Sequence, residues 1–396
     1  MKNKFCKVRV IARTAAMASG IIICSCFANG CKPTKKEPAK SEYYVVGNIF
    51  PGYYDEPLVR HIWTEGTGSW EIVKRAKPLF EGHYQPKVPL WGYELCDDPK
   101  VVERWIDTAL EHGVNVFMYD WYWFNGGPFL EGGLNDGFLK AKNNEKMLFY
   151  IIWSNHDADW NVHHADEFWS ATVDWKNWQI IVDRVIKQYF GKPNYLKLDG
   201  KPVFAIFSLL EFLKNFEGEE EGCRKALNYF DEEAKKAGFP GVHFQLCPPH
   251  RLGVSAETIE SIGFHSVALL TGGGLFGKEG IAKDYLEYGE NAITIREQYD
   301  KELNIPFFPT VSTGYDDSSI PYDRSPFIVH DISPEAFGNF LAKAKKFVDD
   351  RPEQPKLIIL NAWNEWTEDG ILLPCEKYGF GYLEAVRDAM NGKYDE

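Results

Sequence analysis

Two glutamates three residues apart, Glu365 and Glu368, are the strongest chemical signal in the chain. If the segment that carries them turns helically, they share one face. Neighbouring carboxylates repel, and the flanking Trp363 and Trp366 disfavour ionisation. One carboxyl is therefore expected to keep its proton near neutral pH while the other is charged. An acid that can protonate a leaving oxygen, beside a base, is the equipment of glycosidic bond cleavage. The competing reading is a solvated acidic helix start favoured by the helix dipole.

Something must position that pair, and the residues in front of it read as a strand. Leu357-Ile358-Ile359-Leu360 is a buried run that stops at Asn361. Comparable runs occur at 43–50, 114–122, 146–153, 202–207, 242–246, 266–270 and 306–311, with segments of helical period between them. Pro99 and Pro334 open two of those helices. Eight strands alternating with helices predict an α/β fold of the (β/α)8 barrel type, in one domain over residues 43–396. A doubly wound open sheet is the alternative, but no Gly-rich dinucleotide turn follows any strand.

In such a barrel the ligand site lies at the C-terminal ends of the strands. The second run leads into Tyr119, Asp120, Trp121, Trp123 and Asn125, and the third into Trp153, Asn155 and His156. The seventh is followed by Tyr315 and Asp316, and the eighth by Trp363, Asn364, Glu365, Trp366 and Glu368. Amides and carboxylates suit sugar hydroxyls, and ring faces suit the apolar faces of a sugar, so these positions predict a carbohydrate site. Each has a plainer reading: Asp120 as a helix cap, Trp121 and Trp123 as packing, His156 and Asp157 as a surface loop. The glycines at 272–274 lack the Lys and Ser/Thr of a phosphate cradle and read as a flexible loop. Asp316 and Asp317 with Asp55 or Glu56 lack the spacing of a calcium loop, so neither a metal nor a cofactor is expected.

Composition narrows the partners. Aromatics make up 15% of the 396 residues, and the net charge of −13 opposes binding to nucleic acid, whose phosphates need clustered Lys and Arg. Lys2, Lys4, Lys7, Arg9 and Arg13 precede a short apolar run, then Cys24, Cys26 and Cys31 and a Lys- and Pro-rich stretch. That pattern resembles a bacterial lipoprotein signal over residues 1–30, with Cys31 lipidated and 31–42 a flexible tether; Cys26 is the alternative acceptor. The expectation is a cell-envelope lipoprotein whose only membrane contact is its lipid anchor. Cys96, Cys223, Cys247 and Cys375 match no zinc spacing and read equally as disulfides or buried thiols.

Several longer stretches carry a resemblance. "NAWNEWTEDGILLP" with "KYGFGYLEAV", "GSWEIVKRAKPLFEGHYQP", "GVNVFMYDWYWFNGG", "YLKLDGKPVF" and "SPEAFGNFLAKA" resemble the WbsX-like, glycoside hydrolase family 99-like proteins, over roughly residues 43–389. The resemblance implies a (β/α)8 barrel and metal-free, retaining endo-α-mannosidase chemistry on an oligosaccharide or polysaccharide. It implies Glu368 as general acid/base, and Glu365 as the group that helps the substrate's own 2-hydroxyl attack the anomeric carbon. Where such proteins carry Trp-Ala-Asn-Glu, this chain has Trp153-Ser154-Asn155-His156, which exchanges an acceptor for a group able to donate. A polysaccharide glycosyltransferase and a glycan-binding protein without turnover are the rival functions.

Overall fold

The structure, a computed structural model, describes residues 42–158, 169–216, 218–248, 254–271, 283–321 and 324–394. Cys31, the leader, most of the tether and the glycines at 272–274 lie outside the described residues. Eight parallel strand runs form the barrel: β1 (Tyr44–Ile49), β2 (Val116–Phe124), β3 (Leu148–Trp153), β4 (Lys201–Ile206), β5 (His243–Leu246), β6 (Ser266–Ala268), β7 (Phe307–Phe308 and Thr310–Ser312) and β8 (Leu357–Asn361). Each pairs with its neighbours in chain order, and β1 pairs with β8. The helices are α1 (Trp70–Arg75), α2 (Pro99–Glu111), α3 (Trp175–Val185), α4 (Leu209–Asn215), α5 (Glu220–Lys236), α6 (Ala256–Ile262), α7 (Tyr285–Glu302), α8 (Pro334–Asp349) and α9 (Gly381–Met390).

Closure falls to β7, which is broken at Pro309. Its first half pairs with β6 (Phe307 with Val267) and its second with β8 (Val311 with Leu360). Proline cannot donate to a ladder, yet its carbonyl still accepts from the Ile359 N–H at 2.9 Å. Counted by hydrogen-bonded segments, nine parallel pieces make the eight-stranded wall.

The helices form where the sequence supplies both a cap and a stripe. Asp98 accepts from the Lys100 N–H, Pro99 opens α2, and Val102, Trp105, Ile106 and Ala109 are buried. Asp174 caps α3 in the same way, with Trp178, Ile181, Val182 and Val185 inward. Burying one such aliphatic side chain stabilises by about 1.5–3 kcal/mol. The four cysteines at 96, 223, 247 and 375 are buried and form no disulfide.

Residues 50–98, between β1 and α2, wrap over the C-terminal rim, and one buried cation ties them down. Lys87 is 1% exposed; its Nζ lies 3.3 Å from Asp316 and 3.2 Å from Asp369, and it donates to the Tyr84 carbonyl. His83 and Gln85 reach the same Asp316 oxygen at 2.9 and 2.8 Å. Asp316 follows β7 and Asp369 follows β8, so the ammonium joins three segments far apart in sequence. Removing one member of such a buried group leaves uncompensated charge. Lys87→Met is expected to lose about 3–5 kcal/mol of stability, read as a lower urea midpoint, and adding Asp369→Asn should recover part of that loss. An unchanged midpoint in Lys87→Met refutes the assignment.

Candidate active site

The site is built from β2, the end of β8 and the wrapping connection. Successive side chains of a strand point to opposite faces. On β2, Tyr119, Trp121 and Trp123 share one face: Tyr119 packs on Phe138 with ring centroids 5.5 Å apart, and Trp121 donates to Glu131 at 2.8 Å. Asp120 and Tyr122 take the other face. The Asn48 side-chain amide donates to Asp120 at 3.0 Å. Burial pushes the Asp120 carboxyl up to about 7, with the Asn48 hydrogen bond opposing.

The Glu pair stands on a hairpin. Asn364–Glu365 pairs antiparallel with Gly370–Ile371, and Trp366 to Asp369 form the turn. The expected helical turn is therefore absent: Asp369 has φ +61°, a left-handed conformation that ends any helical path. The Glu368 N–H still donates to the Glu365 carbonyl at 3.3 Å, so the i to i+3 spacing keeps the two residues on one short turn. Asn364 fixes the hairpin base, because its amide accepts from the Phe50 N–H and donates to the Phe50 carbonyl, both at 2.8 Å.

Glu365 keeps some accessible surface, but protein crowds the rest of it. Burial, then the negative charge of Glu368, raises its carboxyl well above the ordinary glutamate range, and Asp120 adds to the rise. The Thr367 hydroxyl donates to it and opposes that shift. The Tyr53 hydroxyl lies 3.5 Å from the same carboxylate oxygen and accepts from the Thr367 N–H at 3.2 Å. Tyr122 links these parts: burial first, then the fields of Asp120, Glu365 and Glu368, raises its phenol. His156 stands beside it, with ring centroids 6.2 Å apart.

Of the predicted positions, Asp120, Glu365, Glu368 and His156 thus gather around Tyr122. The aromatic platform does not. Tyr119, Trp121, Trp123, Trp153, Trp363 and Trp366 are at most 3% exposed and serve packing. Trp153 lies against Trp178 of α3, Trp363 against Phe117, and Trp366 against Trp70. Asn125 and Gly126, at φ +49° and +82°, make the tight turn between β2 and Gly127–Phe129, a role that Asn-Gly fills because both residues need positive φ. Both polar atoms of the Asn155 amide are spent on the Ser208 backbone. Tyr315 is buried beside Phe327, and Asp316 belongs to the Lys87 network. Asn48, Tyr53, Tyr122 and Thr367 were missed. Strand alternation gives a signal for Tyr122, two residues beyond Asp120; no local pattern marks the others.

A carboxyl raised by burial makes the fold more stable when protonated. Between the unfolded value of about 4 and the folded value of about 7, the folded chain holds a proton at Asp120 that the unfolded chain has lost. That contribution is present at low pH and is lost as pH rises to about 7. Asp120→Asn removes the titration, so its stability relative to the wild type should increase between pH 4 and pH 8 in urea unfolding. A difference that stays flat or falls with pH contradicts the assignment.

The model of the family described as Glycosyltransferase WbsX matches residues 45–386. Among curated proteins, an uncharacterized protein WxcX of Xanthomonas campestris pv. campestris is 22% identical over 369 residues, covering 87% of this chain and 49% of the relative. This chain spans about half the length of that relative. Among solved structures, the glycoside hydrolase family 99 endo-α-mannosidase of Bacteroides thetaiotaomicron is similar at TM-score 0.54 and 15% identity, with 90% of this chain and 98% of that one covered. A glycoside hydrolase-like protein gives TM-score 0.55 and 14% identity over 89% and 95% of the two chains. These structural likenesses establish the barrel. With the family model spanning nearly all of the described fold, the chain belongs to the WbsX family.

Proposed function

We propose that the protein is a retaining glycoside hydrolase acting on an α-linked, mannose-configured glycan. The observation that carries this reading is the convergence of Asp120, Glu365 and Glu368 on Tyr122 at the C-terminal rim of the barrel. Support also comes from the similar fold of the endo-α-mannosidase. In the proposed first step the substrate's 2-oxygen attacks the anomeric carbon, Glu365 takes the 2-hydroxyl proton, and Glu368 gives a proton to the departing oxygen. The product is a 1,2-anhydro sugar. In the second step water attacks the anomeric carbon, Glu368 takes its proton, and Glu365 returns a proton to the 2-oxygen. Two inversions give net retention.

The raised Glu365 carboxyl suits its role. A carboxylate held up by burial and by a like charge is a stronger base toward a hydroxyl. In this reading His156, whose ring centroid is 6.2 Å from that of Tyr122, contacts a neighbouring sugar hydroxyl. The family description favours a second reading, sugar transfer to an acceptor hydroxyl in place of water. Incubation with candidate α-linked oligosaccharides and mass analysis of the products distinguishes the two, and a chain that binds without turnover is a binding protein.

Glu368→Gln and Glu365→Gln should each lower cleavage by about 10²–10⁴-fold. Wild-type turnover in Glu368→Gln, or a glycosyl ester trapped on Glu365, overturns the scheme. Because Glu365 must be ionised to accept the proton, the acid limb of the rate profile should lie above the ordinary glutamate range. For location, we propose export and lipidation at Cys31. Palmitate labelling should disappear in Cys31→Ala, and its retention would point to Cys26.

A further inference from the structure

Residues 76–87 belong to the connection that wraps the rim, and they carry an aromatic ring that the core does not claim. Phe80 is 46% exposed. Phe80-Glu81-Gly82-His83 is a tight turn: the His83 N–H donates to the Phe80 carbonyl at 3.2 Å, and Gly82 supplies a positive φ, +84°, at the third position. The turn lays the Phe80 ring flat on the His83 imidazole, with centroids 4.6 Å apart and planes 9° from parallel. One face of Phe80 is thereby spent on His83, whose own side chain is buried. The exposure of Phe80 belongs to the opposite face and the ring edge, and no other ring stacks on it among the described residues.

Single exposed apolar side chains are common and need no purpose. Phe80 differs in being fixed. The His83 Nδ1 accepts from the Leu79 N–H at 3.1 Å, so its Nε2 carries the proton and donates to Asp316 at 2.9 Å. Asp316 is held in turn by Lys87 and Gln85, and its N–H donates to the Glu368 carbonyl at 2.8 Å. A flat apolar face is thus mounted on the same hydrogen-bonded frame as the turn that bears Glu368. Because the ring is already held, little side-chain freedom remains to be lost on binding. The buried Trp121, Trp123, Trp153, Trp363 and Trp366 offer no such face.

We propose that the open face of Phe80 is a sugar platform, carrying one pyranose of the glycan beyond the bond that is cleaved. This rests on the reading of the protein as acting on a mannose-configured glycan. A pyranose presents C–H groups on its apolar faces, and the negative face of an aromatic ring attracts them while both are withdrawn from water. The platform selects for chain length: a glycan long enough to reach Phe80 gains a contact that a shorter one lacks.

The test is titration calorimetry on the whole chain carrying Glu368→Gln, which leaves the probes uncleaved. The probes are mannobiose and mannotetraose in α-1,2, α-1,3 and α-1,6 linkage. At least one tetraose is expected to bind more tightly than its matching biose. Adding Phe80→Ala or Phe80→Leu should weaken that tetraose by about tenfold and the biose by less than about twofold. Phe80→Trp, which keeps a flat face, should preserve the tetraose affinity. Phe80→Leu keeps an apolar cover over His83 without a ring, and it decides the matter should Phe80→Ala fail to fold. Unchanged tetraose affinity in folded Phe80→Ala or Phe80→Leu overturns this inference alone, as does an equal loss for the two probes. A loss in Phe80→Trp as large as in Phe80→Leu also overturns it. If no probe binds to Glu368→Gln, the mannose-configured reading fails and the inference falls with it.

Discussion

The rim of this barrel depends on how one buried ammonium is allotted. Lys87 lies between Asp316 and Asp369, and with His83 and Gln85 it neutralises and fixes the side of the rim built from the loops after β7 and β8. Burial pushes the Asp316 carboxyl up, but Lys87, Ser318 and His83 outweigh it and hold that carboxyl below its ordinary value. Asp120 and Glu365 have no ion pair among the described residues, and both are raised. Of these four carboxyl groups only Asp316 is held below its ordinary value; burial raises Asp369 despite Lys87, as it raises Asp120 and Glu365.

Anchoring and chemistry are coupled through the backbone. The Asp316 N–H donates to the Glu368 carbonyl at 2.8 Å, and the Thr313 hydroxyl donates to the Asp369 carbonyl at 3.3 Å. The turn that carries Glu368 is thereby fastened to the β7 loop that Lys87 secures. From the other side, Asn364 grips the Phe50 backbone and Tyr53 receives the Thr367 N–H. Rigid elements hold the two carboxyl groups more accurately than a free loop would, which the proposed proton transfer over hydrogen-bond distances requires.

The barrel was legible in the sequence because its signals are periodic. Apolar runs such as Leu357 to Leu360 and capped stripes such as Asp98-Pro99 through Ala109 state their own conformation. Of the short pieces, α6 was legible but α1, α4 and the strand Gly127–Phe129 escaped, although Asn125-Gly126 is a known hairpin signal. The site was legible in its carboxylates and not in its aromatics. A carboxyl beside buried strands needs a reason to be there, whereas a tryptophan is at home in a core. Reading β2 by alternation separates Asp120 and Tyr122 from Tyr119, Trp121 and Trp123, a division that composition alone hides. Tyr53 and Lys87 reach the rim from a connection whose path is set by tertiary contacts, and no local pattern announces them.

The hairpin under the Glu pair shows why spacing outlived a wrong guess about conformation. A helical turn and a β-turn both bring residues i and i+3 together. The Glu368 N–H to Glu365 carbonyl bond supplies that closure without a helix. The difference lies in what surrounds the pair. A helix start would expose both carboxylates to water and favour their charge through its dipole. The hairpin instead sets Glu365 beside Thr367, Tyr53 and the field of Asp120, where ionisation is disfavoured. The same two glutamates, at the same spacing, would be a solvated surface in the first geometry and are crowded by protein in the second, where the Glu365 carboxyl is raised. The environment of the pair thus follows from the turn that β8 runs into, and not from the Glu-x-x-Glu spacing alone.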